Sequence, residues 1–253
     1  MASILLSIGS MQTMKKEMYE VHRLSQSSNW WFRARKEIVH SIIDKYIYHN
    51  KNNILEVGAG YGIMTEMLKE YGTVTAIEPY PDAVHYLISK SKANIKAVYP
   101  TTLDKFKTKE KYDIVAMFDV LEHIKDDGVT IAKIYALLKE KGLLILTVPA
   151  YVFLWSEHDR LNNHYRRYSK SNLLYHTNYV DFTTKRLTYF NTLLFPLALL
   201  DKLWFARNKQ STALNPSKLV NTILYRIFSI EKILLKYFNL PYGVSILLIA
   251  EKI

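Results

Sequence analysis

The stretch LWSEHDRLNNHYRRYS, residues 154–169, combines side chains that can move protons with side chains that can bind anions. His158 and His164 can accept a proton near neutral pH, and the carboxylate of Asp159 can orient either imidazole. Arginines and a tyrosine nearby could hold an anionic or sugar-like molecule. Two imidazoles and a carboxylate could also bind a divalent cation, but no common metal signature has this spacing, and we predict no metal site. The predicted binding residues are Arg160, Arg166, Arg167 and Tyr168.

Composition limits the classes of protein to consider. The chain has 253 residues, of which 49% are hydrophobic, and this suffices for one large α/β domain. Cysteine is absent, which excludes disulfides and thiolate metal sites. The net charge of +11 favours anionic partners such as nucleic acid, an acidic lipid surface or phosphorylated small molecules. A solvated lysine-rich surface would give the same balance.

The first ten residues, MASILLSIGS, lack the charged start and the long apolar run of a signal peptide. We expect residues 1–10 to be a leader or a segment introduced by cloning, with the native start at Met11 or Met14. No run reaches the 18 apolar residues that would indicate a membrane-spanning helix. The sequence therefore predicts a cytoplasmic protein, with peripheral contact to a membrane as an open alternative.

From residue 53 onward, short apolar runs alternate with amphipathic stretches. The runs are rich in Ile, Val and Leu, as is typical of strands that are buried on both faces. Helices are predicted over 62–70, 81–91 and 128–139. Alternation of this kind predicts a parallel, doubly wound α/β sheet with helices on both faces. The runs are NILEVGAG, TVTAIEP, NIKAVY, YDIVAMFDVLEH and GLLILTVP.

After Pro149 the predicted order is a loop, a helix over 170–178, a strand in DFTTKRLTYF, and two helical segments over 192–207 and 217–238. A last strand covers VSILLIAEKI. The region 206–240 is longer than a simple connection requires, so we expect a helical insertion before the final strand.

The first strand ends in Glu56-Val-Gly58-Ala-Gly60-Tyr-Gly62. Glycines at a strand-to-helix turn let the backbone pass close to a ligand. A nicotinamide fingerprint would need a third glycine at position 63, which is Ile63, and the Gly-Lys-Ser/Thr ending of a phosphate-binding loop is absent. Glu78 ends the second strand, where a carboxylate can take both ribose hydroxyls. An acid near the glycine loop suits a cationic ammonium better than a pyrophosphate.

These features together resemble the class I S-adenosylmethionine-dependent methyltransferases. The resemblance rests on Glu-x-Gly-x-Gly-x-Gly on strand one, the acid that ends strand two, and FDVLEHIKD after strand four. It covers residues 53–149 and is nearest to the small-molecule branch that includes ubiquinone-type O-methyltransferases. It implies a Rossmann-like seven-stranded sheet in the order 3-2-1-4-5-7-6, with strand 7 antiparallel, and S-adenosyl-L-methionine as the cofactor.

The resemblance assigns cofactor contacts to the ends of three strands. The glycine loop would hold the methionine part, the second strand end the ribose, and the segment after strand four the region of the sulfonium. The residues concerned are Glu56, Gly58, Ala59, Gly60, Tyr61 and Gly62 in the first group, Glu78, Pro79 and Tyr80 in the second, and Phe118, Asp119, Val120 and His123 in the third.

Two further groups of residues depart from, or add to, this pattern. Many relatives carry an Asp after strand three that pairs with adenine, whereas this chain has Thr101 and Thr102, so a hydroxyl and backbone groups would bind the base. In NWWFRARKEIV, the resemblance places Arg35 where it could meet the cofactor's carboxylate. Trp31 could help to form a lid over the substrate, or its ring could pack a helix on the sheet.

The resemblance divides residues 11–253, taken as a single methyltransferase domain, into three parts. Residues 11–50 form an N-terminal helical cap, residues 51–150 form the cofactor-binding core, and residues 151–253 contain the acceptor-side loop, the C-terminal helices and the last strands. Ligands of doubly wound sheets bind at the carboxyl ends of the strands, so residues 154–169 should lie over the methyl donor. His158 with Asp159, or His164, would then take a proton from a small-molecule acceptor, with oxygen the expected atom of a sugar-like, anionic or lipid-linked substrate.

Two other classes of function stay open. An RNA-modifying methyltransferase would explain the charge and NWWFRAR, but the Asn/Asp-Pro-Pro-Tyr motif is absent after strand four, so we expect no nucleic-acid partner. A membrane-associated, non-catalytic binding protein would explain residues 192–238, where apolar faces carry Lys and Arg. The same faces could instead pack on the sheet or form a homodimer.

Overall fold

The computed structural model describes residue 20 and residues 23–47, 52–90, 94–205 and 216–253. The predicted leader, residues 1–10, lies outside this part of the chain. The proposed division into a cap, a core and an acceptor-side part therefore stays a prediction.

Seven strands form one mixed sheet in the order β3-β2-β1-β4-β5-β7-β6, which confirms the predicted topology. Strands β1 to β5 pair in parallel, and β7 runs antiparallel to both of its neighbours, β5 and β6. The carboxyl ends of β1, β2 and β4 therefore meet at one edge. The strands are β1 Asn52–Val57, β2 Gly72–Ile77, β3 Ile95–Tyr99, β4 Tyr112–Phe118, β5 Leu138–Pro149, β6 Phe182–Phe190 and β7 Ser245–Lys252.

Helices connect these strands close to the predicted bounds. The helix predicted over 192–207 begins at Phe195, and Pro196 lies in its first turn, where a missing backbone N–H leaves no hydrogen bond unmade. The helices are α1 Trp30–Ile43, α2 Ile63–Leu68, α3 Pro81–Lys90, α4 Asp127–Leu137, α5 Glu157–Leu161, α6 Lys170–Asn178, α7 Phe195–Phe205, α8 Lys218–Ser229 and α9 Glu231–Tyr237.

Two apolar clusters cover the two faces of the sheet. Successive residues of a strand point to opposite faces, and thus Ile54 packs in one cluster and Leu55 in the other. The cluster that contains Ile54 includes side chains from α1, α2, α8 and α9. The cluster that contains Leu55 includes side chains from α4 and α6. The layered packing explains why the strand sequences are apolar on both faces rather than alternating.

The segment after β5 is more ordered than the sequence analysis expected. The region treated there as a loop contains a 3₁₀ turn, Val152–Leu154, followed by helix α5. Ser156 and Asp159 form a capping box at the start of α5, because the Asp159 carboxylate accepts a hydrogen bond from the Ser156 backbone N–H at 2.8 Å. Ser-x-x-Asp is a shortened form of the capping pattern, and it was the signal in the sequence for this helix.

The helical insertion before the last strand consists of α8 and α9, and it packs on α1. Glu231, at the start of α9, is fully buried and accepts hydrogen bonds from the backbone N–H groups of Asn191 and Leu193 at 2.6 and 2.7 Å. One carboxylate therefore joins the insertion to the segment between β6 and α7. Among the described residues, no helix is long and apolar enough to cross a bilayer.

Replacing Glu231 with Ala should lower the free energy of unfolding by about 2–4 kcal/mol, because two buried backbone N–H groups lose their acceptor. Denaturant unfolding followed by circular dichroism measures this. Glu231→Gln retains one carbonyl oxygen and should lose less. Glu140→Ala, at a side chain that is 74% exposed, is the surface control and should change stability by less than about 0.5 kcal/mol. An equal loss in the control variant would contradict the prediction.

Candidate active site

The turn after β1 has a backbone conformation that requires glycine. Gly58, Gly60 and Gly62 have φ angles of 72°, 53° and 83°, in the left-handed region that side chains disfavour. A Cβ at Gly58 would lie 2.5 Å from the Val120 side chain, whereas a Cβ at Gly60 would meet no atom within 4 Å. The loop is thus packed against the segment after β4 on one side and open at Gly60, which leaves room for a ligand against its backbone.

Glu78 is anchored at the end of β2 by the same loop. Its carboxylate accepts hydrogen bonds from the backbone N–H groups of Gly60 and Tyr80 at 2.8 and 2.9 Å. The side chain is almost fully buried. Two backbone donors therefore hold the carboxylate in one orientation beside the open part of the loop, as binding of a ribose diol requires.

A cleft lies next to Glu78, at the carboxyl ends of β1, β2 and β3. Its walls are mainly apolar, its volume of about 10 Å³ is that of a single water molecule, and the Thr102 hydroxyl has no hydrogen-bond partner among the described residues. Thr101 and Thr102 thus line the place where the sequence analysis expected adenine. The lining includes Val57, Ile77, Pro79, Thr101, Thr102 and Leu103.

Arg35 is buried at the carboxyl ends of β4 and β5. Its guanidinium forms an ion pair with Asp119 at 2.7 Å and donates a hydrogen bond to the Thr147 hydroxyl at 2.8 Å. The rings of Trp31 and Phe118 lie 5.0 and 5.9 Å from the guanidinium carbon. The structure therefore brings the predicted residues Arg35, Trp31, Phe118 and Asp119 together. Thr147 was not anticipated, since a single Thr in an apolar strand carries no functional signal.

The aromatic residues around Arg35 face different surroundings. Trp30 packs edge-on against Phe228 of α8, with the ring centroids 5.8 Å apart, and belongs to the core beneath the insertion. Trp31 lies over Arg35 instead. Packing explains Trp30, while a role for Trp31 at the substrate stays a prediction.

Glu56 is buried beneath the glycine loop, and its carboxylate accepts a hydrogen bond from the Thr65 hydroxyl at 2.5 Å. Burial, together with the nearby charge of Glu78, raises the pKa of Glu56 to about 8, even though the Thr65 bond acts in the opposite direction. Without a bound cation, Glu56 is therefore largely protonated at neutral pH. A positively charged ligand at the loop would favour the ionised form.

This pKa predicts how stability depends on pH. The folded protein holds the Glu56 proton up to about pH 8, while the unfolded chain releases it near 4.5. Between these values the native state binds more protons, so the contribution of Glu56 to stability falls as pH rises. Glu56→Gln should remove a slope of up to about 1.4 kcal/mol per pH unit, measured by denaturant unfolding without ligand. Glu140→Gln should keep the wild-type slope. Parallel wild-type and Glu56→Gln curves would contradict the prediction.

Asp159 and His164 form a buried pair in the segment after β5. His164 Nδ1 lies 2.9 Å from the Asp159 carboxylate, and Arg167 binds both oxygens of that carboxylate at 2.8 and 2.9 Å. Burial would raise the pKa of Asp159, but the hydrogen bonds from His164 and Arg167 outweigh it and hold the pKa well below its usual range. An ionised Asp159 requires His164 Nδ1 to be the donor. In the neutral imidazole, Nε2 therefore carries the lone pair, as a general base requires.

His158 has different partners. Its Nε2 lies 3.0 Å from the side-chain amide nitrogen of Asn162, which donates to the ring when His158 is neutral. His158 is exposed on one side, but desolvation by the surrounding loop lowers its pKa, although Asp159 nearby acts in the opposite direction. The lone pair of His158 is thus engaged within the loop, and the geometry favours His164 over His158 as the base.

The predicted substrate-binding side chains are mostly engaged with carboxylates. Arg160 pairs with Glu157 on the exposed face of α5, and Arg166 pairs with Asp127. Tyr168 is buried and donates its hydroxyl hydrogen bond to Asp127 at 3.1 Å. Arg167 is held by Asp159. These residues, as the structure has them, order the loop and anchor it to α4, and their contact with a substrate stays a prediction.

The Asp159–His164 pair lies directly above the turn that follows β4. His123 packs edge-on against His164 with the ring centroids 4.6 Å apart, and the Tyr165 backbone N–H donates to the Glu122 carbonyl at 2.7 Å. The Glu122 side chain is fully buried, and neither carboxylate oxygen has a hydrogen-bond partner among the described residues. Burial, with the charge of Asp119 adding to it, raises the pKa of Glu122 well above its ordinary value.

Glu122, His123 and His164 are the one group in the described part of the chain whose ligand atoms converge, all within 4.8 Å of one another. Two imidazoles and a carboxylate suit Zn²⁺, Mn²⁺ or Fe²⁺ better than Mg²⁺, which prefers oxygen ligands. The same three groups can equally exchange protons without a metal. Glu122 was not among the predicted site residues, although it lies in the LEH motif that the analysis quoted.

Comparison with known families decides the class of protein. A family model described as a methyltransferase domain matches residues 27–183, which include the glycine loop, Glu78, the turn after β4 and the buried Asp159–His164 pair. The chain belongs to this family. It is a class I S-adenosylmethionine-dependent methyltransferase, as the sequence resemblance implied, and S-adenosylmethionine is its cofactor.

Named relatives of the methyltransferase are O-methyltransferases. The chain is 26% identical over 191 residues to the ubiquinone biosynthesis O-methyltransferase of Rickettsia canadensis, covering 64% of this chain and 79% of that protein. It is 29% identical over 97 residues to the enzyme of the same name from Bradyrhizobium diazoefficiens, covering 37% of this chain and 38% of that protein. The second match thus spans less than half of the relative.

A solved structure shares the fold of the methyltransferase. The N-methyltransferase NodS from Bradyrhizobium japonicum WM9, solved in complex with S-adenosyl-L-homocysteine, superposes with a TM-score of 0.58 at 14% identity, covering 92% of this chain and 97% of that one. At this identity the likeness concerns the fold alone. The open backbone at Gly60 and the Glu78 carboxylate, which two backbone N–H groups hold in place, are the features of this chain that suit S-adenosylmethionine.

Proposed function

We propose that the methyltransferase transfers a methyl group to a hydroxyl oxygen of a small-molecule acceptor and that His164 takes the hydroxyl proton. The observation that carries this proposal is the buried Asp159–His164 pair in the segment after β5, with His164 Nδ1 bound to the Asp159 carboxylate. A hydroxyl is a poor nucleophile until a base removes its proton, whereas a neutral amine needs no such base to attack. The two relatives described above are O-methyltransferases, which agrees with this choice.

The cofactor residues take roles that follow from their geometry. Glu78 accepts the two ribose hydroxyls, and the backbone of the loop at Gly60 lies along the methionine part. Thr101 and Thr102 line the adenine cleft. Arg35, held by Asp119 and Thr147, is placed to bind the cofactor's carboxylate, and Glu56 offers negative charge to the ammonium group. Bound there, the cofactor supplies an electrophilic methyl group on its sulfonium.

Each side chain near the acceptor then has a defined task. His164 Nε2 would accept the proton of the acceptor hydroxyl, which leaves the oxygen free to take the methyl group that the bound cofactor would supply. Asp159 is a positioning residue, because it orients the ring of His164 and stabilises the imidazolium that forms. Arg167 keeps Asp159 ionised. Trp31, Arg166 and Tyr168 border the predicted acceptor side, and a sugar-like, anionic or lipid-linked acceptor is the class that we expect.

Methyl transfer from radiolabelled S-adenosylmethionine to a panel of catechols, phenols, sugars and primary amines tests the proposal. We expect labelled products from hydroxyl compounds, with the position of the methyl group assigned by mass spectrometry and NMR. Methylation of amines or carbon atoms alone, or of RNA alone, would overturn the choice of oxygen. Failure to bind S-adenosyl-L-homocysteine in a calorimeter would overturn the cofactor roles.

A further inference from the structure

The helical insertion has two apolar faces, although only one is needed to pack on the protein. Helices α8 and α9 are separated by Ile230 alone, whose backbone is itself helical, so residues 218–237 form a nearly continuous rod of about 30 Å. On the inner face, Phe228 and Leu235 are buried in the core cluster that includes α1. Packing on the sheet, the simpler explanation for this segment, accounts for the inner face only.

On the opposite side of the rod, five large apolar side chains are exposed. Their spacing of four, seven, three and four residues places them on one side of the rod, and Leu219 and Tyr237 are 70% and 71% exposed. A single exposed leucine is ordinary, but an apolar row along a whole helix is not. We call this row the outer stripe, and it consists of Leu219, Ile223, Ile230, Ile233 and Tyr237.

The charges around the outer stripe have one sign. Within residues 216–238, the exposed charged side chains are Lys218, Arg226 and Lys236, while Lys232 pairs with Glu37 of α1. The single acidic residue of that range, Glu231, is fully buried and binds backbone N–H groups. Apolar side chains flanked by cations, without exposed acids, are the pattern of a helix that lies in the interface of an anionic bilayer.

Neighbouring residues extend this surface. The Leu193 backbone N–H donates to Glu231, so the start of α7 lies beside the junction of α8 and α9. Leu197 and Leu200 are exposed on α7, and Leu193 is exposed just before this helix. Tyr237, Phe238 and Tyr242 are exposed at the other end of the rod, and tyrosine is a residue type that favours the headgroup region.

We propose that the outer stripe is a docking surface for an anionic lipid bilayer. The rod of α8 and α9 would lie parallel to the membrane plane, with the stripe facing the lipid. A second copy of the chain fits less well, because a twofold axis across the stripe would bring Arg226 against its symmetry mate and Lys218 against Lys236. Phospholipid headgroups pair with these cations, and the acyl region covers the isoleucines. The inference goes beyond methyl transfer, since it concerns a surface on α8 and α9 rather than the site at the strand ends.

Co-sedimentation of the full chain with vesicles tests the proposal. We expect binding to vesicles of equal parts phosphatidylcholine and phosphatidylglycerol, weak binding to phosphatidylcholine alone, and release by salt. Ile223→Ser with Ile233→Ser should lower partitioning by at least about tenfold. The matched control is Ile88→Ser with Val129→Ser, which changes two exposed apolar side chains of α3 and α4 and should bind like wild type.

Two double charge-reversal variants separate binding through the stripe from attraction that depends only on net charge. Lys218→Glu with Lys236→Glu should abolish binding, while Lys107→Glu with Lys109→Glu changes the net charge equally at exposed positions outside the stripe and should retain most of it. Calorimetry with S-adenosyl-L-homocysteine checks that each variant is folded. The proposal is overturned if wild type stays in the supernatant at low salt, or if control and stripe variants lose binding equally. A wild-type dimer that the Ile223→Ser and Ile233→Ser changes convert to monomer would also overturn it in favour of a self-interface.

Discussion

His164→Gln should lower kcat by about 10²–10⁴-fold while leaving the affinity for S-adenosyl-L-homocysteine unchanged. The reason is that Nδ1 of His164 is committed to Asp159 at 2.9 Å, so Nε2 is the atom that can take the acceptor's proton. Glutamine offers no base of comparable strength at that place. The measurement is steady-state turnover with the best hydroxyl acceptor from the panel, and added imidazole should restore part of the rate.

His158→Gln is the matched control, since His158 lies in the same helix-containing loop but its ring nitrogen is engaged with Asn162. We expect its effect on kcat to be far smaller than that of His164→Gln. The reverse ranking would assign the proton to His158 instead.

Dialysis against a chelator tests whether Glu122, His123 and His164 hold a metal ion. Activity should persist, and a loss that Zn²⁺ or Mn²⁺ restores would show that these side chains hold a metal.

Glu78→Gln should weaken binding of S-adenosyl-L-homocysteine by about 30- to 150-fold. Both carboxylate oxygens of Glu78 accept backbone hydrogen bonds from Gly60 and Tyr80, and the same oxygens have remaining lone pairs for the ribose hydroxyls. The amide of glutamine would turn a donor toward one of these N–H groups and lose one acceptor. Isothermal titration calorimetry gives the affinity directly and needs no knowledge of the acceptor.

Glu66→Gln is the control for this experiment, because Glu66 lies on α2 close to the loop but is 57% exposed and pairs with Lys69. The affinity of Glu66→Gln for S-adenosyl-L-homocysteine should equal that of wild type. Thermal unfolding of both variants separates a lost contact from a collapsed loop. Glu78→Gln binding within about threefold of wild type would remove Glu78 from the proposed cofactor site.

The doubly wound class of the sheet and the strand ends that carry the predicted cofactor site could be predicted from local sequence. Apolar runs of strand length, separated by helical periods, leave little choice other than a doubly wound sheet, and right-handed crossovers bring the ends of β1, β2 and β4 to one edge. Positions such as Gly58 and Glu78 carry strong signals because a left-handed turn and a buried acid at a strand end are uncommon without a ligand. The family resemblance supplied the order of the strands, including the antiparallel strand β7.

Partners across long sequence separations could not be predicted. Thr147 lies 112 residues from Arg35, and only packing of α1 against the sheet brings the two together. The choice between His158 and His164 is of the same kind, because both follow the same strand and differ only in which acceptor or donor the folded loop presents. Hydrogen-bond geometry at 3 Å depends on the whole chain, whereas strand formation depends on short runs of residue types.

The sequence by itself thus determined the class of fold, the glycine loop with its acid, and the location of a cluster of His, Asp and Arg residues after β5. Tertiary structure alone decided that Asp159 pairs with His164 and Arg167 and that residues 218–237 expose a second apolar face. It also decided that the buried Glu122 carboxylate has no hydrogen-bond partner in the part of the chain that the structure describes. The physical reason is that composition and periodicity show which residues are apolar or charged. Burial and pairing depend on which surfaces the fold leaves uncovered.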